Sequence, residues 1–475
     1  MEGLSRIDDT LWELPADERR GMRVPARVFA SEEILDAIAG DRSLEQLANV
    51  ATLPGIVGAA IAMPDIHQGY GFPVGGLAAT APPDGVVSPG GVGYDINCGV
   101  RLLVVPVAAA ELGPRKERLV DEVARLAPAG TGRDSRLRLG RDELDRVLAR
   151  GPAALLARGI GTEDDVEHTE SRGRLPGADP GAVSARARER GASQLGTVGS
   201  GNHFIELQRV ERIDDAEAAA AFGIEAGAAT ILIHSGSRGL GHQVCTDHVK
   251  LMDAAIKGYG IELPDRQLAC APLDSPEARE YLAAMAAAAN FAWANRAALA
   301  NACRSAIAAV LGDEVAAATR QVYDVAHNVA KLERHGGREL CVHRKGATRA
   351  FPPGHPELPD RYRGVGQPVF IPGSMGTASY VLAGRPGSLE RSFGTTCHGA
   401  GRRLSRTAAR KQVGGAELRA ALEREGITVR GASSRGLAEE APLAYKQVDA
   451  VVDVVERAGL AARVARLRPI GVVKG

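Results

Sequence analysis

Neither sign of charge is in excess in this sequence, since its 475 residues carry 58 lysines and arginines against 58 aspartates and glutamates. A basic field over the whole chain, which is typical of non-specific nucleic-acid binders, is therefore absent. Apolar runs are also short, and none approaches the ~18 residues that a membrane span needs. These absences predict that any contact with nucleic acid is local and that the protein has no membrane partner.

Cysteine is scarce, and its spacing shows no CxxC pair and no compact disulfide framework. The first residues, MEGLSRIDDTLWELP, lack the basic region followed by an apolar stretch that a secretory signal would have. We therefore expect a reduced, cytoplasmic protein. Its six cysteines are Cys98, Cys245, Cys270, Cys303, Cys341 and Cys397.

Two common nucleotide-handling signatures are also missing. The P-loop pattern GxxxxGK[ST] does not occur, which argues against a Walker-type NTPase. The Lys-x-Asp-Gly signature of ligases that carry AMP on a lysine is absent as well. If this chain transfers a nucleotide, a lysine in that motif is not the carrier.

The whole sequence is 45% hydrophobic and 24% charged, which is the composition of a globular protein. Glycine is abundant, at 57 residues, and much of it adjoins His, Asn, Asp or Ser, where the backbone can approach a ligand closely. The polar motifs lie on both sides of every candidate domain boundary. We therefore predict an α+β fold: a single large mixed domain over residues 1–475, with a central β-rich core around the site and peripheral helices.

Local patterns predict the main elements of this domain. The apolar runs VRLLVVPV, FIELQRV and ATILI indicate buried strands, and VSPGGVGYDINCG indicates a loop. Helical periodicity predicts helices over residues 31–47 and 277–335, and a peripheral helical insertion over 112–190 with an exposed loop at RGRLPGADPG. Residues 338–401 indicate short strands and loops. The tail is predicted to be mostly helical over 416–460 and then extended at RPIGVVKG.

Five side chains that suit a transition metal are embedded in Gly, Ser or Asn or lie beside them. Asp95 and Cys98 share the loop GYDINCG, and His203 lies in GSGNHFIEL. His234 ends the strand ILIH, and His327 lies in YDVAHNVAKLE, which we interpret as a helix. Because a thiolate can bridge two cations, this mixed O/S/N set could hold a pair of ions. Two cations ~3.5–4 Å apart are a recurrent arrangement for phosphoryl transfer.

Each of these positions, taken alone, has a plainer interpretation. A lone cysteine in a glycine loop is more often a small buried hydrophobe than a ligand. A histidine at a strand end is more often a polar tip with its hydrogen bonds satisfied. Spacing alone therefore leaves a metal site and a purely structural role open.

A candidate nucleophile precedes a run of arginines in TTCHGAGRRLSRTAARK, where His398 lies in a glycine-rich turn. If the run is helical, Arg402, Arg406 and Arg410 fall on one face at i, i+4 spacing. Arginine forks pair with phosphate oxygens, so this face could follow an RNA backbone, although a solvated basic helix would have the same pattern. A neutral histidine nitrogen can attack phosphorus, which makes His398 the candidate catalytic residue.

Three further segments could contact phosphate or ribose. The turn PGSMGTASY offers backbone N–H groups and two serine hydroxyls. SGSRG places Arg238 four residues after His234, close enough to put a cation beside the candidate metal ligands. HRKGATRAF offers Arg344, Lys345 and Arg349, which a surface turn would explain equally well.

At this point the sequence resembles the RtcB family of RNA-splicing ligases. No key position departs from the family pattern, and nine motifs in the family's order are far more specific than any one of them. In chain order, within residues 60–475, they are MPDIHQGYGFPVGG, GGVGYDINCGVRLL, GSGNHFIEL, HSGSRGLGH, YDVAHN, HRKGATRAF, PGSMGTASY, CHGAGRRLSR and IGVVKG.

The resemblance implies an enzyme, a GTP-dependent RNA ligase that works in tRNA splicing or RNA repair. It would join 2′,3′-cyclic phosphate or 3′-phosphate ends to 5′-hydroxyl ends. GMP would be carried first on His398 and then on the RNA 3′-phosphate, from which the 5′-hydroxyl displaces it. Cys98 would bridge two Mn²⁺ ions. The ligands implied for these ions are Asp95, Cys98, His203, His234 and His327.

The resemblance also assigns residues to GTP and RNA. RNA phosphates would contact Arg238, Arg402 and Arg406, and Glu206 suits guanine because a carboxylate accepts from its N1–H and amino groups. Partners would be RNAs such as tRNA halves and the small protein archease, which some members use; we expect a monomer. The implied GTP site is Asn202, His203, Phe204, Glu206, His327, Asn328, Pro372, Gly373, Ser374, Met375, Ser379, His398, Gly399, Ala400, Gly401, Tyr445 and Lys474.

Two other functions compete with the ligase. A dinuclear metallo-phosphodiesterase could hydrolyse cyclic phosphate ends of RNA without joining them. A non-catalytic RNA-end binder would have no need of the metal ligands or of His398.

Overall fold

The computed structural model describes residues 3–475, and two mixed β-sheets form its centre. The strands, in chain order, are β1 (Ser5–Arg6), β2 (Leu11–Leu14), β3 (Ala26–Phe29), β4 (Ile56–His67), β5 (Val74–Thr80), β6 (Val86–Val87), β7 (Gly99–Ala108), β8 (Phe204–Ile213), β9 (Ala228–Ser235), β10 (Ala271–Pro272), β11 (Arg320–Ala326), β12 (Asn328–His335), β13 (Arg338–Lys345), β14 (Ala347–Arg349), β15 (Pro368–Ile371), β16 (Ser379–Gly384), β17 (Thr395–Cys397), β18 (Thr428–Gly431) and β19 (Ala461–Lys474).

Helices surround these sheets. None of the helices within residues 3–475 combines the length and the apolar character that crossing a bilayer requires. In chain order they are α1 (Glu32–Ile38), α2 (Ser43–Val50), α3 (Arg115–Leu126), α4 (Arg141–Arg150), α5 (Glu163–Glu167), α6 (Ala185–Ala192), α7 (Ala216–Phe222), α8 (Arg238–Ala255), α9 (Pro276–Leu311), α10 (Asp313–Ala318), α11 (Pro386–Ser392), α12 (Arg406–Gln412), α13 (Gly415–Arg424), α14 (Ser434–Glu439) and α15 (Val448–Arg457).

The two large sheets have different strand orders. The first is β1-β2-β3-β4-β5-β13-β12, and the second is β11-β7-β9-β8-β19-β16-β15 with β18 parallel to β19. Short two-stranded ladders join β6 to β10 and β14 to β17. A central β-rich core with helices around it is the α+β architecture that the sequence predicts.

The inner strands of the second sheet are covered on both faces. β7 reads GVRLLVVPVA and is buried over its first seven residues, and β9 reads AATILIHS and is buried after its first residue. Near-continuous runs of β-branched and apolar residues form strands of this kind, because neither face meets water. The strands predicted from VRLLVVPV, FIELQRV and ATILI are confirmed.

Helix α9 forms the axis of the helical layer on one side of this sheet. Its start is fixed by Ser275, whose side chain accepts a hydrogen bond from the N–H of Ala278, and by proline in the first turn. Residues 284–300 are buried on all sides of the helix. Their small alanine side chains let α3, α4 and α8 pack closely against α9.

Residues 112–190 contain helices α3 to α6, and two of these, α3 and α4, pack on α9. Among the buried residues of this segment is a charged one, Glu170, which is 0% exposed. Its carboxylate accepts from the N–H of Ala326 at 2.9 Å and is paired with Lys331. The segment therefore also supports the strand that leads to His327.

The helix predicted over residues 277–335 is wrong beyond residue 318. Helix α9 ends at Leu311 and α10 at Ala318, and β11 and β12 follow. β11 is buried on both faces after its first residue, so its apolar residues do not alternate with polar ones as they would in a half-exposed strand. His327 consequently lies between two strands rather than on a helix.

Two other boundaries differ from the prediction. The helix expected over residues 31–47 is divided into α1 and α2 near Gly40, and Asp41 accepts a hydrogen bond at 2.7 Å from the N–H of Ser43. The extended C-terminal segment begins earlier than RPIGVVKG, because β19 starts at Ala461 and pairs with both β8 and β16. The chain thus ends in an inner strand.

A buried ion cluster joins α9 to the second sheet. Asp324 on β11 accepts from Arg101 Nε of β7 and from Arg296 Nη2 of α9, each at 2.7 Å. The three side chains are at most 1% exposed. Charges buried this deeply are tolerated only when each is compensated, so the cluster fixes α9, β7 and β11 relative to one another.

We predict that Asp324→Asn lowers the free energy of unfolding by about 3–5 kcal/mol, because it leaves two buried guanidinium groups without their counter-charge. Urea unfolding followed by circular dichroism measures this. Asp84→Asn, at an exposed position, is the matched control and should change stability little. Equal stability of the two variants would contradict the structural role of the cluster.

Candidate metal centre and nucleotide pocket

The five predicted metal ligands meet at one edge of the second sheet. Antiparallel pairing places Gly99, directly after Cys98, opposite Ser235, directly after His234. The same register pairs Phe204, after His203, with His234, and Ala326, before His327, with Gly99. Cys98 and His203 directly precede β7 and β8, and His234 and His327 lie at the ends of β9 and β11, so residues far apart in sequence meet at one end of these antiparallel strands.

The side chains are in direct contact there. Cys98 Sγ lies 3.3 Å from His203 Nε2 and 3.3 Å from His234 Nε2. His234 Nε2 is 3.3 Å from His327 Nε2, and His203 Nε2 is 2.8 Å from Asp95 Oδ2. The structure thus brings together all five residues that the sequence predicts as ligands.

These donors form two groups that share one sulfur. Asp95, Cys98 and His203 make one group, and Cys98, His234 and His327 make the other, with ligand atoms within 4.8 Å of one another in each. Carboxylate, thiolate and imidazole donors suit a first-row transition metal. The residues therefore fit a metal site, and a metal-dependent enzyme is the natural conclusion.

Burial shifts the pKa values of the candidate ligands. It lowers the pKa of His234 and His327 well below the usual value, so both imidazoles are neutral and offer a lone pair. Burial raises the pKa of Asp95, but His203 and Arg238 outweigh this effect and hold it at about 2. Burial and the charge of Asp95 raise the pKa of Cys98 well above its usual value, an effect that a bound cation reverses.

Hydrogen bonds from Arg296 and Asn328 hold the loop that carries Cys98 in place. Asn97 has φ of 50°, a left-handed conformation that asparagine tolerates better than most residues. Its carbonyl accepts from Arg296 Nη1 at 2.8 Å, and the same nitrogen donates to Ser235 O at 2.8 Å. Asn328 Nδ2 donates to the carbonyl of Asp95 at 3.0 Å. Arg296 therefore links the cysteine loop to the strand end that presents His234.

His398 approaches the ligands from the other side. It follows β17, which pairs with β14, and its ring centroid is 4.8 Å from that of His327. Its Nδ1 lies 2.5 Å from Asp65 Oδ2, and its backbone N–H donates to the same oxygen at 3.1 Å. Asp65 belongs to β4 of the first sheet and is 0% exposed. The candidate nucleophile is thus held by one sheet and faces ligands held by the other.

A cavity of about 350 Å³ opens in front of His398 and the metal ligands. Loops from both sheets line it, and most residues predicted for GTP lie on its wall. These are Asn202, Phe204, His327, Asn328, Pro372, Gly373, His398, Gly399, Ala400, Gly401 and Tyr445.

The other residues predicted for GTP lie behind this wall. Glu206 is 1% exposed and accepts from Gln208 Nε2 at 2.8 Å, and Gln208 also donates to Ser379 Oγ, which accepts from the N–H of Gly373. Burial raises the pKa of Glu206 to about 8. Hydrogen bonds through Ser379 and Gln208 therefore connect Gly373, on the cavity wall, with Glu206 in the interior. The rest of these residues, His203, Ser374, Met375 and Lys474, are buried.

The arginines predicted for RNA are partly neutralised. Arg402 Nη1 lies 3.1 Å from Glu440, and Arg406 Nε lies 3.0 Å from the same buried carboxylate, yet both line the cavity. Arg402 is not on a helix, because α12 begins only at Arg406; the predicted helical face over residues 402–410 is therefore wrong. Arg238 lies behind the metal ligands, with Nη1 3.5 Å from His203 Nδ1.

The cations of HRKGATRAF are not on a surface turn. Arg344, Lys345 and Arg349 are all buried, and Arg344 and Arg349 are paired with carboxylates. Lys345 lines the cavity and donates to the carbonyls of Phe72 and Gly90 at 3.2 and 3.3 Å. Burial lowers its pKa to about 7.

Sequence reasoning missed three residues of the site: Asp65, Gln208 and Glu440. Asp65 belongs to MPDIHQGYGFPVGG, where a carboxylate beside a proline in an otherwise apolar stretch was the available signal. Gln208 and Glu440 gave none, because their importance comes from partners distant in sequence, such as Ser379 and Arg402.

An α+β fold that brings a cluster of five candidate metal ligands together beside a cavity, with a further histidine facing them, defines a metal-dependent enzyme. A family model described as "tRNA-splicing ligase RtcB" matches residues 46–475, and the chain belongs to this family of ligases. The resemblance noted in the sequence is confirmed.

Curated relatives are similar over the whole length. A tRNA-splicing ligase RtcB of Archaeoglobus fulgidus is 53% identical, over 100% of both chains. One of Thermococcus kodakarensis is 53% identical over 100% of this chain and 99% of its own. An RNA-splicing ligase RtcB of Mycobacterium tuberculosis is 53% identical over 90% of this chain and 100% of its own. The similarity thus includes every element that forms the site.

We predict that Cys98→Ala removes the bound metal completely, whereas His327→Ala leaves one ion per chain. Only the sulfur belongs to both groups of donors, so its loss weakens both positions at once. Metal analysis after equilibrium dialysis against Mn²⁺ measures the stoichiometry. Cys303→Ala, at a buried cysteine of α9, is the control. Full occupancy in Cys98→Ala would rule out the shared ligand.

Proposed function

We propose that this RNA ligase of the RtcB family joins RNA 3′-phosphate or 2′,3′-cyclic phosphate ends to 5′-hydroxyl ends, using GTP and a GMP-histidine at His398. The observation that carries the proposal is the contact between His398 and the metal ligands, with 4.8 Å between the ring centroids of His398 and His327. A histidine nucleophile, cations and a nucleotide-sized cavity are what nucleotidyl transfer to a protein needs.

Two Mn²⁺ ions are the proposed metal cofactors. Asp95, Cys98 and His203 would hold one ion, and Cys98, His234 and His327 the other. Such a pair neutralises phosphate charge and aligns attacking and leaving groups. The mixture of one thiolate, three imidazoles and one carboxylate supports manganese over magnesium, which prefers oxygen ligands alone.

His398 would act as the nucleophile through Nε2. Asp65 accepts from Nδ1, which keeps the proton on that nitrogen and leaves the lone pair of Nε2 free. Nε2 attacks the α-phosphorus of GTP, an N–P bond forms, and pyrophosphate leaves with the electrons of the broken P–O bond. The buried carboxylate of Asp65 balances the positive charge that grows on the ring, as a carboxylate does for histidine in other enzymes.

The RNA steps would follow in the same cavity. Water opens a 2′,3′-cyclic phosphate to a 3′-phosphate, which then displaces His398 from GMP and becomes linked to it through a new P–O–P bond. The 5′-hydroxyl of the second strand attacks the RNA phosphorus, and GMP leaves. Arg402 and Arg406 line the cavity and are the proposed contacts for RNA phosphates, with Arg238 behind the metal ligands.

Guanine would be recognised by the buried group behind the cavity wall. Glu206 Oε1 is buried and has no hydrogen-bond partner among the described residues, so an acceptor is available there. A carboxylate accepts from guanine N1–H and the 2-amino group, a pair of donors that adenine lacks. The remaining residues proposed for GTP are Asn202, His203, Phe204, His327, Asn328, Pro372, Gly373, Ser374, Met375, Ser379, Gly399, Ala400, Gly401, Tyr445 and Lys474.

The physiological setting is part of the proposal. RNAs with these ends, such as tRNA halves, are the proposed substrates, and residues 1–475 would act as one ligase domain, as a monomer in the cytoplasm. Archease is the proposed activating partner. Full-length similarity to ligases disfavours both a phosphodiesterase without joining activity and a non-catalytic RNA-end binder.

Labelling with GTP tests the proposed intermediate. Wild-type protein incubated with Mn²⁺ and α-labelled GTP is expected to take up acid-labile label, and His398→Ala is expected to take up none, because no other side chain replaces Nε2. His355→Ala, at a histidine that stacks on Phe351 away from the cavity, is the matched control. Label in His398→Ala equal to wild type would refute the nucleophile, and its absence from wild type would refute the GTP step.

The pKa of Glu206 leads to a pH prediction. With a pKa of about 8, the free carboxyl is mostly protonated at neutral pH, whereas guanine needs the ionised form. GMP binding should therefore release a proton, and the affinity should rise between about pH 6.5 and 8.5, by at most about tenfold per unit. Glu206→Gln should weaken binding by about 10- to 100-fold and remove this pH dependence.

Calorimetric titration with GMP measures both effects. Glu211→Gln changes a carboxylate on the same strand that pairs with Arg466 and Arg468 instead, and it serves as the control. An affinity for GMP that Glu206→Gln leaves unchanged would exclude the carboxylate as the guanine contact.

A further inference from the structure

A second cavity, of about 480 Å³, lies beside the first and is lined by arginines. We call it the arginine groove; its cations are Arg125 of α3, Arg133 and Arg136 of the following loop, Arg419 of α13, Arg430 of β18, and Lys474 at the end of β19. Asp134 is its only acidic lining residue among the described part of the chain. In a chain of zero net charge, so many cations around one depression form a local positive field.

Three of these arginines form no ion pair within the described residues. Arg125 is paired with Glu122, and Arg430 lies 2.5 Å from Asp121. Within residues 3–475, no carboxylate lies within 4.0 Å of Arg133, Arg136 or Arg419. Arg402 and Arg406, in contrast, share the buried carboxylate of Glu440. The arginine groove therefore offers more free positive charge than the catalytic cavity does.

One loop separates the groove from the catalytic cavity. The N–H of Gly130, on the groove side, donates to the carbonyl of Gly199 at 2.7 Å. Lys474 lines the groove and donates to the carbonyls of Gly201 and His203, while Asn202 between them lines the catalytic cavity. A flexible anionic polymer that leaves the cavity over residues 199–203 would enter the groove directly.

The lining also indicates how a polymer would be bound. Aromatic side chains are absent from the groove within the described chain, so bases cannot stack there as they do in proteins that bind single strands through their bases. Guanidinium groups instead pair with phosphate oxygens, and such contacts carry no sequence information. The chemistry favours a phosphodiester backbone of any sequence.

We propose that the arginine groove binds the RNA backbone several nucleotides away from the end that is ligated. The inference rests on the proposed function, because it takes RNA as the substrate of the adjacent cavity. The groove would hold long or structured RNAs in place while their ends react. Its contribution is electrostatic, independent of sequence, and separate from the chemistry at His398.

The test compares a triple variant, R133Q/R136Q/R419Q, with wild type in binding a long single-stranded RNA and a trinucleotide that both carry a 3′-phosphate. Fluorescence anisotropy over a range of salt concentrations, without GTP, measures affinity. The long RNA is expected to bind at least about tenfold more weakly, with the salt slope reduced by about 2, because each lost phosphate contact removes about 0.7. Trinucleotide binding and GMP labelling of His398 should stay as in wild type.

Two controls separate this effect from a general loss of charge or of folding. R133K/R136K/R419K keeps the charge, and most of the salt dependence should return. R19Q/R334Q/R338Q removes three exposed arginines that line neither cavity, and long-RNA affinity should stay within about twofold of wild type, as expected for exposed charges remote from phosphate contacts.

Several results would overturn the inference. Unchanged binding of the long RNA by R133Q/R136Q/R419Q would do so, and so would an equal loss for the trinucleotide, which would place the arginines at the reacting end. If R133Q/R136Q/R419Q bound RNA as wild type does but no longer bound polyglutamate, the groove would be a binding site for an acidic protein instead. Failure of wild type to take up GMP would contradict the proposed function while leaving the RNA measurement valid.

Discussion

The contact of Arg296 with two backbone carbonyls and one buried carboxylate is the constraint on which the site depends. Its guanidinium binds Asn97 O, Ser235 O and Asp324, so one rigid group sets the distance between the cysteine loop and the strand end at His234. Cys98 belongs to both groups of candidate metal ligands, so a displacement of its loop would disturb both. The antiparallel register aligns the strands, and Arg296 holds the loop that carries Cys98 against the end of the strand that carries His234.

The reacting histidine depends on a different sheet, and one residue connects the two. β11 ends in the second sheet at Ala326, β12 begins in the first sheet at Asn328, and His327 lies between them. His327 is also the metal ligand nearest to His398, which Asp65 of the first sheet holds. The distance between His398 and the candidate metal ligands is therefore fixed by the packing of the two sheets rather than by a single loop.

Sequence indicated the five ligands and His398 because their glycine-rich surroundings are unlike those of core residues, and family resemblance made the assignment specific. Strands such as β7 and β9 were predictable from continuous β-branched runs. His327 was placed on a helix because β11 is buried on both faces and shows no alternation. Asp65 and Glu440 act through partners hundreds or tens of residues away, and such pairings are set by tertiary packing, which local patterns do not encode.

Arginines of this protein differ in whether a carboxylate pairs with them. Near the catalytic cavity, four arginines are paired with buried carboxylates: Arg402 and Arg406 with Glu440, and Arg101 and Arg296 with Asp324. Pairing keeps these buried charges from destabilising the fold. Because the cavity holds little free charge, the attraction for a long polyanion has to come from outside it, and the unmatched Arg133, Arg136 and Arg419 lie one loop away. A chain without net charge thus carries its unpaired arginines beside the catalytic cavity rather than inside it.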